Sequence, residues 1–366
     1  SDLWIFALPH PALDANCFSV VWTGSVVMPR TMDGCIGLST QDSMRLYVDD
    51  KLLIDGWGKD KSADQALDFH FEAGRTYKIR IEFVNDRRGA RVIFGYSAGR
   101  ENFPAAVEAA RKADVAILCM GDNEETSGEN FDRTDLNLPG RQLELVQAVY
   151  ATGTPVVLVL QSGRPVTANW ENDHLPAILE AWFPGEQGGT AIAKTLFGDA
   201  APGGRLPITF PRSVGQIPCH YSRRPGGGKR YVEMDWLPLY PFGYGLTYTT
   251  FAYRDMALSR SVIDPQDTVT VSVTVTNTGK YTGDAVPQLY VRDMFSSVVK
   301  PERQLAAFRR LTLAPGESRR VELTVGPKQL RTLGPDYVWR VEPGKFELQL
   351  GDNAENILLR ADLTVE

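Results

Sequence analysis

The stretch GDNEETSGENFDRTDLNLPG, residues 121–140, gathers acidic side chains around a single arginine, Arg133. It leaves the apolar run VAILCM and leads into GRQLELVQAVY, whose apolar residues recur at helical spacing. Carboxyl groups at this density can bind a cation, pair with arginine, or exchange protons with a substrate. A calcium loop of the EF-hand kind fails on spacing. With Gly128 at its sixth position, Asn123, Glu125 and Ser127 fall on ligand positions, but Thr134 stands at the twelfth, where a bidentate glutamate is required. Two readings stay open from charge content alone: a solvated loop with Asp132–Arg133 as a local ion pair, or a proton-transfer site. Position favours attention to the second, because ligands of open α/β sheets bind beyond the carboxyl ends of the strands.

Other candidate motifs are weaker. RPGGGKR lacks the GxxxxGK[ST] spacing of a phosphate loop and follows no strand. LQSGRP is not a nucleophile elbow, since GxSxG is missing. His10, His70, His174 and His220 are scattered, and none pairs with a Ser or Cys in a recognisable pattern. Cys17, Cys35, Cys119 and Cys219 form no CxxC, which argues against a structural zinc site. Cys119, in VAILCM, is expected to be a small buried core residue. A Cys17–Cys35 disulfide is the lesser alternative to free thiols.

These residues have to be held by elements that the sequence also outlines. The chain has 366 residues, enough for two or three domains, with 43% hydrophobic and 23% charged residues. A net charge of −6 argues against nucleic acid as a partner, and no apolar run is long enough to span a membrane. The opening SDLWIFALPH lacks the features of a secretory signal, which leaves cytoplasmic and periplasmic or secreted locations both open. Residues 1–98 alternate with period two and predict an antiparallel β-sandwich or barrel. Residues 99–212 alternate helical segments with short apolar strands: DVAILCMG, TPVVLVLQSG, LPAILEAWFPG and, as a fourth strand, GRLPITFP. That order predicts βαβ units in a three-layer α/β/α sandwich. Residues 213–250 form a linking segment rich in Gly, Pro, Tyr and Arg. Residues 251–366 return to period two and predict an immunoglobulin-like sandwich. The fold class is multi-domain, α/β plus all-β.

With these pieces in order, the chain resembles glycoside hydrolase family 3, the β-glucosidase type. SGENFDRTDLNLPGRQLELV, GRPVTANW, AWFPGEQGGTAIAKTLFGDAAPGGRLPITFP and LYPFGYGLTYTTF match the family's middle and linking regions in order and spacing. KPERQLAAFRRLTLAPGES and VEPGKFELQLGD resemble the fibronectin type III-like domain that ends many members. Residues 1–98, with FSVVWTGSVVMP and STQDSMRLYVDDKLLIDGW, resemble the protective-antigen-like insert of some members. The departure is the absence of the (β/α)8 barrel that carries the family's nucleophile, an Asp in Ser-Asp-Trp. SDLW echoes that motif, but Leu3 separates Asp2 from Trp4.

The resemblance implies a retaining β-glycosidase, with one carboxyl group as nucleophile and one as acid/base about 5–5.5 Å apart. The acid/base is protonated before bond cleavage. A free glutamate titrates near ~4.3, and raising that by ~2 pH units takes roughly 2.7 kcal/mol of differential interaction. Burial and a neighbouring carboxylate push in that direction. By the family's pattern the acid/base falls on Glu129 of SGEN, with Glu125 and Glu124 in reserve. Asp132 and Arg133 are supporting residues. Arg133 would pin the loop on a carboxylate, and Asp135 would cap the following turn. Asp55 and Trp57 of the first domain are candidate substrate contacts, although core packing is the commoner role of a Trp.

The expected partners are a β-glycoside and a barrel that carries the nucleophile Asp, as a separate chain or as an upstream part of the same polypeptide. No cofactor or metal is implied, because paired carboxylates cleave glycosides unaided. The chain alone is expected to be inactive. The alternative is a non-catalytic carbohydrate-binding or assembly subunit.

Overall fold

The computed structural model describes all residues except 1, 5–9, 15–16, 41, 59–62, 86–89, 99–102 and 227–229. Part of RPGGGKR and the serine of SDLW lie outside the described residues. The chain divides into two compact units, Ser1–Pro104 and Ala105–Glu366.

The first unit is two four-stranded antiparallel sheets. One has the order Asp2–Trp4, Ala90–Ala98, Met32–Thr40, Ala63–Phe71, and the other Phe18–Val27, Thr76–Asn85, Ser43–Val48, Lys51–Asp55. Alternate residues such as Ile36, Leu38, Met44, Leu46, Ile79 and Ile81 enclose one core. The turn between Ser43–Val48 and Lys51–Asp55 places Asp49 and Asp50 at φ 49° and 63°, the left-handed pair of a two-residue hairpin loop. Cys17 and Cys35 are not bonded to each other; the Cys35 Sγ lies 3.0 Å from Ser97 Oγ instead.

In the second unit, three parallel strands form a sheet with Val156–Gln161 between Ala177–Glu180 and Ala116–Gly121. Helices Pro104–Arg111 and Gln142–Tyr150 contribute Ala110, Val146 and Val149 to a core with Val156, Leu158 and Leu160. The second of these helices runs into a turn that closes at Gly153, φ 82°. Cys119 is exposed rather than buried. Ala116–Gly121 is an edge strand, and its alternate residues Ile117 and Cys119 face away from that core. Asn169–His174 is a short helix that the apolar pattern did not signal.

GRLPITFP is not a fourth strand of this sheet. Leu206 and Phe210 instead bond with Tyr244 and Tyr240 of the linking segment. Pro207 and Pro211 remove backbone donors at the positions where a central strand would need them.

The linking segment docks on the terminal sandwich through buried amides. Gln288 donates Nε2–H to Gly243 O at 3.0 Å and Asp352 O at 2.6 Å. Asn277 accepts from Thr249 Oγ1 at 2.6 Å and donates to Tyr281 O and Leu313 O. The sandwich packs a three-stranded sheet against a five-stranded one. In Val269–Asn277 each inward valine, 269, 271, 273 and 275, is fully buried while the residues between them are not. No helix among the described residues is long and apolar enough to cross a membrane.

Candidate active site

The acidic stretch leaves the edge strand at Gly121, whose φ of 141° and proximity to the Gln161 carbonyl leave no room for a side chain. Gln142 clamps the same residue, accepting Gly121 N–H at 2.7 Å and donating to Gly121 O at 2.8 Å. The next residue, Asp122, is the centre of the loop. Its side chain is 3% exposed. It accepts hydrogen bonds from Ser162 Oγ at 2.6 Å and Thr126 Oγ1 at 2.9 Å. Two guanidinium groups flank it, Arg133 at 3.4 Å and Arg164 at 3.5 Å. Both arginines then reach the loop backbone: Arg133 donates to Asn137 O at 3.1 Å and Arg164 to Thr126 O at 3.1 Å. A buried carboxylate satisfied on both oxygens avoids the desolvation cost of an unpaired charge, and here it fastens the loop at both ends.

On this base Glu129 stands at the tip of a tight turn. Phe131 N–H donates to Gly128 O at 3.2 Å, and Asn130 has φ 65°. A left-handed third residue is the mark of a type II turn, and asparagine tolerates it. The turn presents Glu129 outward; it is exposed and makes no hydrogen bond or ion pair among the described residues.

Glu124 and Glu125 are exposed on the preceding turn, where Asn123 Oδ1 accepts Glu125 N–H at 3.0 Å. Arg133 pairs with Asp122 and Asp135 and not with its neighbour Asp132, which is exposed. Asp135 caps its turn by accepting Asn137 N–H at 2.9 Å. Asp55 and Trp57 lie in the other unit and form a cluster of their own. Asp55 Oδ1 accepts from Arg45 Nε at 3.1 Å and from Trp57 N–H at 3.2 Å, and the Arg45 guanidinium covers one face of the indole at 4.6 Å. Trp57 is not a core residue; it is 39% exposed.

The sequence reading assigned no role to Asp122, Ser162 or Arg164. The available signal was positional: Asp122 follows one parallel strand and Ser162-Gly163-Arg164 the next, so both loops open at the same sheet edge. Glu180 ends the third strand. Its Oε1 accepts Trp182 N–H at 2.9 Å, its Oε2 is buried without a hydrogen-bond partner, and burial pushes it up to about 7. A separate cavity of about 290 Å³ in the linking segment, lined by His220, Tyr221, Arg223, Trp236 and Glu355 among others, includes no residue of the acidic stretch. Among the described residues no group of His, Cys, Asp and Glu is arranged to hold a metal.

The family model of the glycosyl hydrolase family 3 C-terminal domain matches residues 22–248, well over half of the chain. The chain belongs to glycosyl hydrolase family 3. Its family 3 portion is followed by a match to the fibronectin type III-like domain over residues 285–354. A β-xylosidase of Formosa agariphila is 45% identical over 79% of the chain and 42% of its own length. A β-glucosidase of Rhizobium radiobacter is 34% identical over the whole chain and 48% of its own length. Among solved structures, a β-glucosidase of Kluyveromyces marxianus in complex with glucose superposes with a TM-score of 0.74 at 28% identity, covering 99% of this chain and 47% of that one. This family 3 chain therefore spans less than half the length of these relatives.

Proposed function

We propose that the chain is the acid/base-bearing part of a retaining β-glycosidase, acting on terminal β-glucosides or β-xylosides. Glu129 protonates the glycosidic oxygen as an Asp from a barrel attacks the anomeric carbon. The leaving group departs, and the sugar remains esterified to that Asp. Glu129, now ionised, takes a proton from water, which attacks the anomeric carbon and releases the sugar. The observation that supports this most directly is the build of the turn. Arg133 and Arg164 hold the buried Asp122 carboxylate in a hydrogen-bonded base, and one carboxyl group, that of Glu129, is exposed at the turn above it. A carboxyl group that must start protonated needs cover and a carboxylate neighbour, and a barrel seated over the turn would supply both.

The test combines this chain with the barrel-bearing part, as one polypeptide or as two chains. The chain alone is expected to leave an aryl β-glucoside untouched, and the combination to hydrolyse it. Glu129→Gln in the combination is expected to lower kcat/KM about 10²- to 10⁴-fold on substrates with poor leaving groups, and far less on activated aryl glycosides, which depart without a proton but whose kcat falls because the second step loses its base. Full activity in Glu129→Gln, with loss in Glu125→Gln, moves the acid/base role to Glu125. Glycan binding by the chain, with no hydrolysis in any combination, identifies a binding or assembly subunit instead.

A further inference from the structure

The loop after the third parallel strand, AWFPG at residues 181–185, holds its two residues on either side of Phe183 against the protein. Trp182 has a left-handed backbone, φ 53°, held by the hydrogen bond from its N–H to Glu180, and its ring packs edge-on against the buried Phe210 at 5.7 Å. On the other side, Pro184 presses on Gly188 so closely that a Cβ there would overlap the proline ring, and Gly185 turns the chain at φ 69°. Phe183 between them is 56% exposed.

The ring comes to rest beside the acidic stretch. The point a Cβ on Gly163 would occupy is 2.8 Å from Phe183 Cε2 and 3.3 Å from Ser127 Oγ. Ser127 is two residues before Glu129. The loops leaving all three parallel strands thus meet at Gly163: Ser127 from the first, Gly163 itself from the second, Phe183 from the third. Gly163 is the residue that lets the ring and the serine close over it.

We propose that Phe183 lines the leaving-group side of the site around Glu129 and favours glycosides whose aglycone is an aromatic ring. The inference rests on Glu129 being the acid/base, because the glycosidic oxygen that receives its proton carries the aglycone. A phenyl ring offers no hydrogen bond to sugar hydroxyls. It offers a flat apolar face and a positive edge, which suit an aryl group in offset or edge-to-face contact. Its anchored neighbours mean that the contact needs no ordering of the loop on binding.

The experiment uses the complete enzyme and compares phenyl with trifluoroethyl β-glycosides, each variant read against wild type on the same substrate. Phe183→Ala is expected to lower kcat/KM for the phenyl glycoside about three- to tenfold, mainly through KM, and to leave the trifluoroethyl glycoside within about twofold. Phe183→Tyr should keep the aryl preference. Phe183→Leu, which preserves apolar bulk, should lose it and serves as the second variant if Phe183→Ala fails to fold. Equal losses on both substrates, or a fully retained preference in Phe183→Leu, overturn the proposal and make the ring a seat for neighbouring protein. Glu129→Gln is run in parallel. If it keeps full turnover on poor leaving groups, the acid/base reading has failed. If it is impaired while Phe183→Ala is unselective, only the inference about Phe183 has failed.

Discussion

One carboxylate in the acidic stretch is placed to hold the loop, and a different one is exposed at the tip of a turn. Asp122 sits between Arg133 and Arg164 with hydrogen bonds from Ser162 and Thr126, whereas Glu129 points outward. Removing the Asp122 charge takes from Arg164 its carboxylate and leaves Arg133 with only the more exposed Asp135. Asp122→Asn is therefore expected to cost about 3 kcal/mol of unfolding free energy, measured by urea denaturation. A cost below about 1 kcal/mol would mean that the arginines find other partners and that the loop does not depend on this residue. Glu180 behaves differently, because burial rather than pairing controls it. Its pKa rises from the ordinary 4.5 to about 7. Between those values the folded protein keeps a proton that the unfolded chain releases, so stability falls as pH rises from about 4.5 to 7 and levels off above, where both states are ionised. Glu180→Gln cannot ionise. It should match wild type near pH 4 and exceed it by about 3 kcal/mol at pH 8. Stability curves that run parallel across this window would refute the assignment.

At the scale of elements, the site exists because three parallel strands end at one edge. Backbone spacing at that edge is tight. Gly121 has a φ that side chains rarely adopt, and a Cβ there would collide with the Gln161 carbonyl of the neighbouring strand. Gly121→Ala is expected to destabilise the protein by about 3 kcal/mol and to lower its thermal midpoint by several degrees. An unchanged midpoint would show that the strand can shift outward without cost. The strands themselves were legible in the sequence. VTVSVTVTN alternates inward valines with outward Ser and Thr, and VVLVLQ is a short apolar run between helical segments, the pattern of a strand covered on its faces. GRLPITFP was misread because its apolar residues resemble those of a strand, while its prolines turn it toward Tyr240 and Tyr244. Cys119 was misread for a related reason: an apolar run does not say which strand lies at the edge of its sheet.

At the scale of the whole molecule, the chain spans less than half the length of its glucosidase and xylosidase relatives, and the proposed chemistry needs two carboxyl groups about 5–5.5 Å apart. In the proposed reading, the exposed Glu129 is one half of a site that a second body completes. The sequence by itself determined the periodicities of the β and α/β parts, the position of the acidic stretch beyond a strand, and the family motifs around it. These are local signals, carried by residues a few positions apart. Only the tertiary structure decided which acid is buried and which is presented. Asp122 finds Ser162 forty positions away, and Phe183 and Ser127 both come up to Gly163. Burial and charge pairing depend on neighbours in space, and a parallel sheet gathers those neighbours from loops that crossover helices keep far apart in sequence.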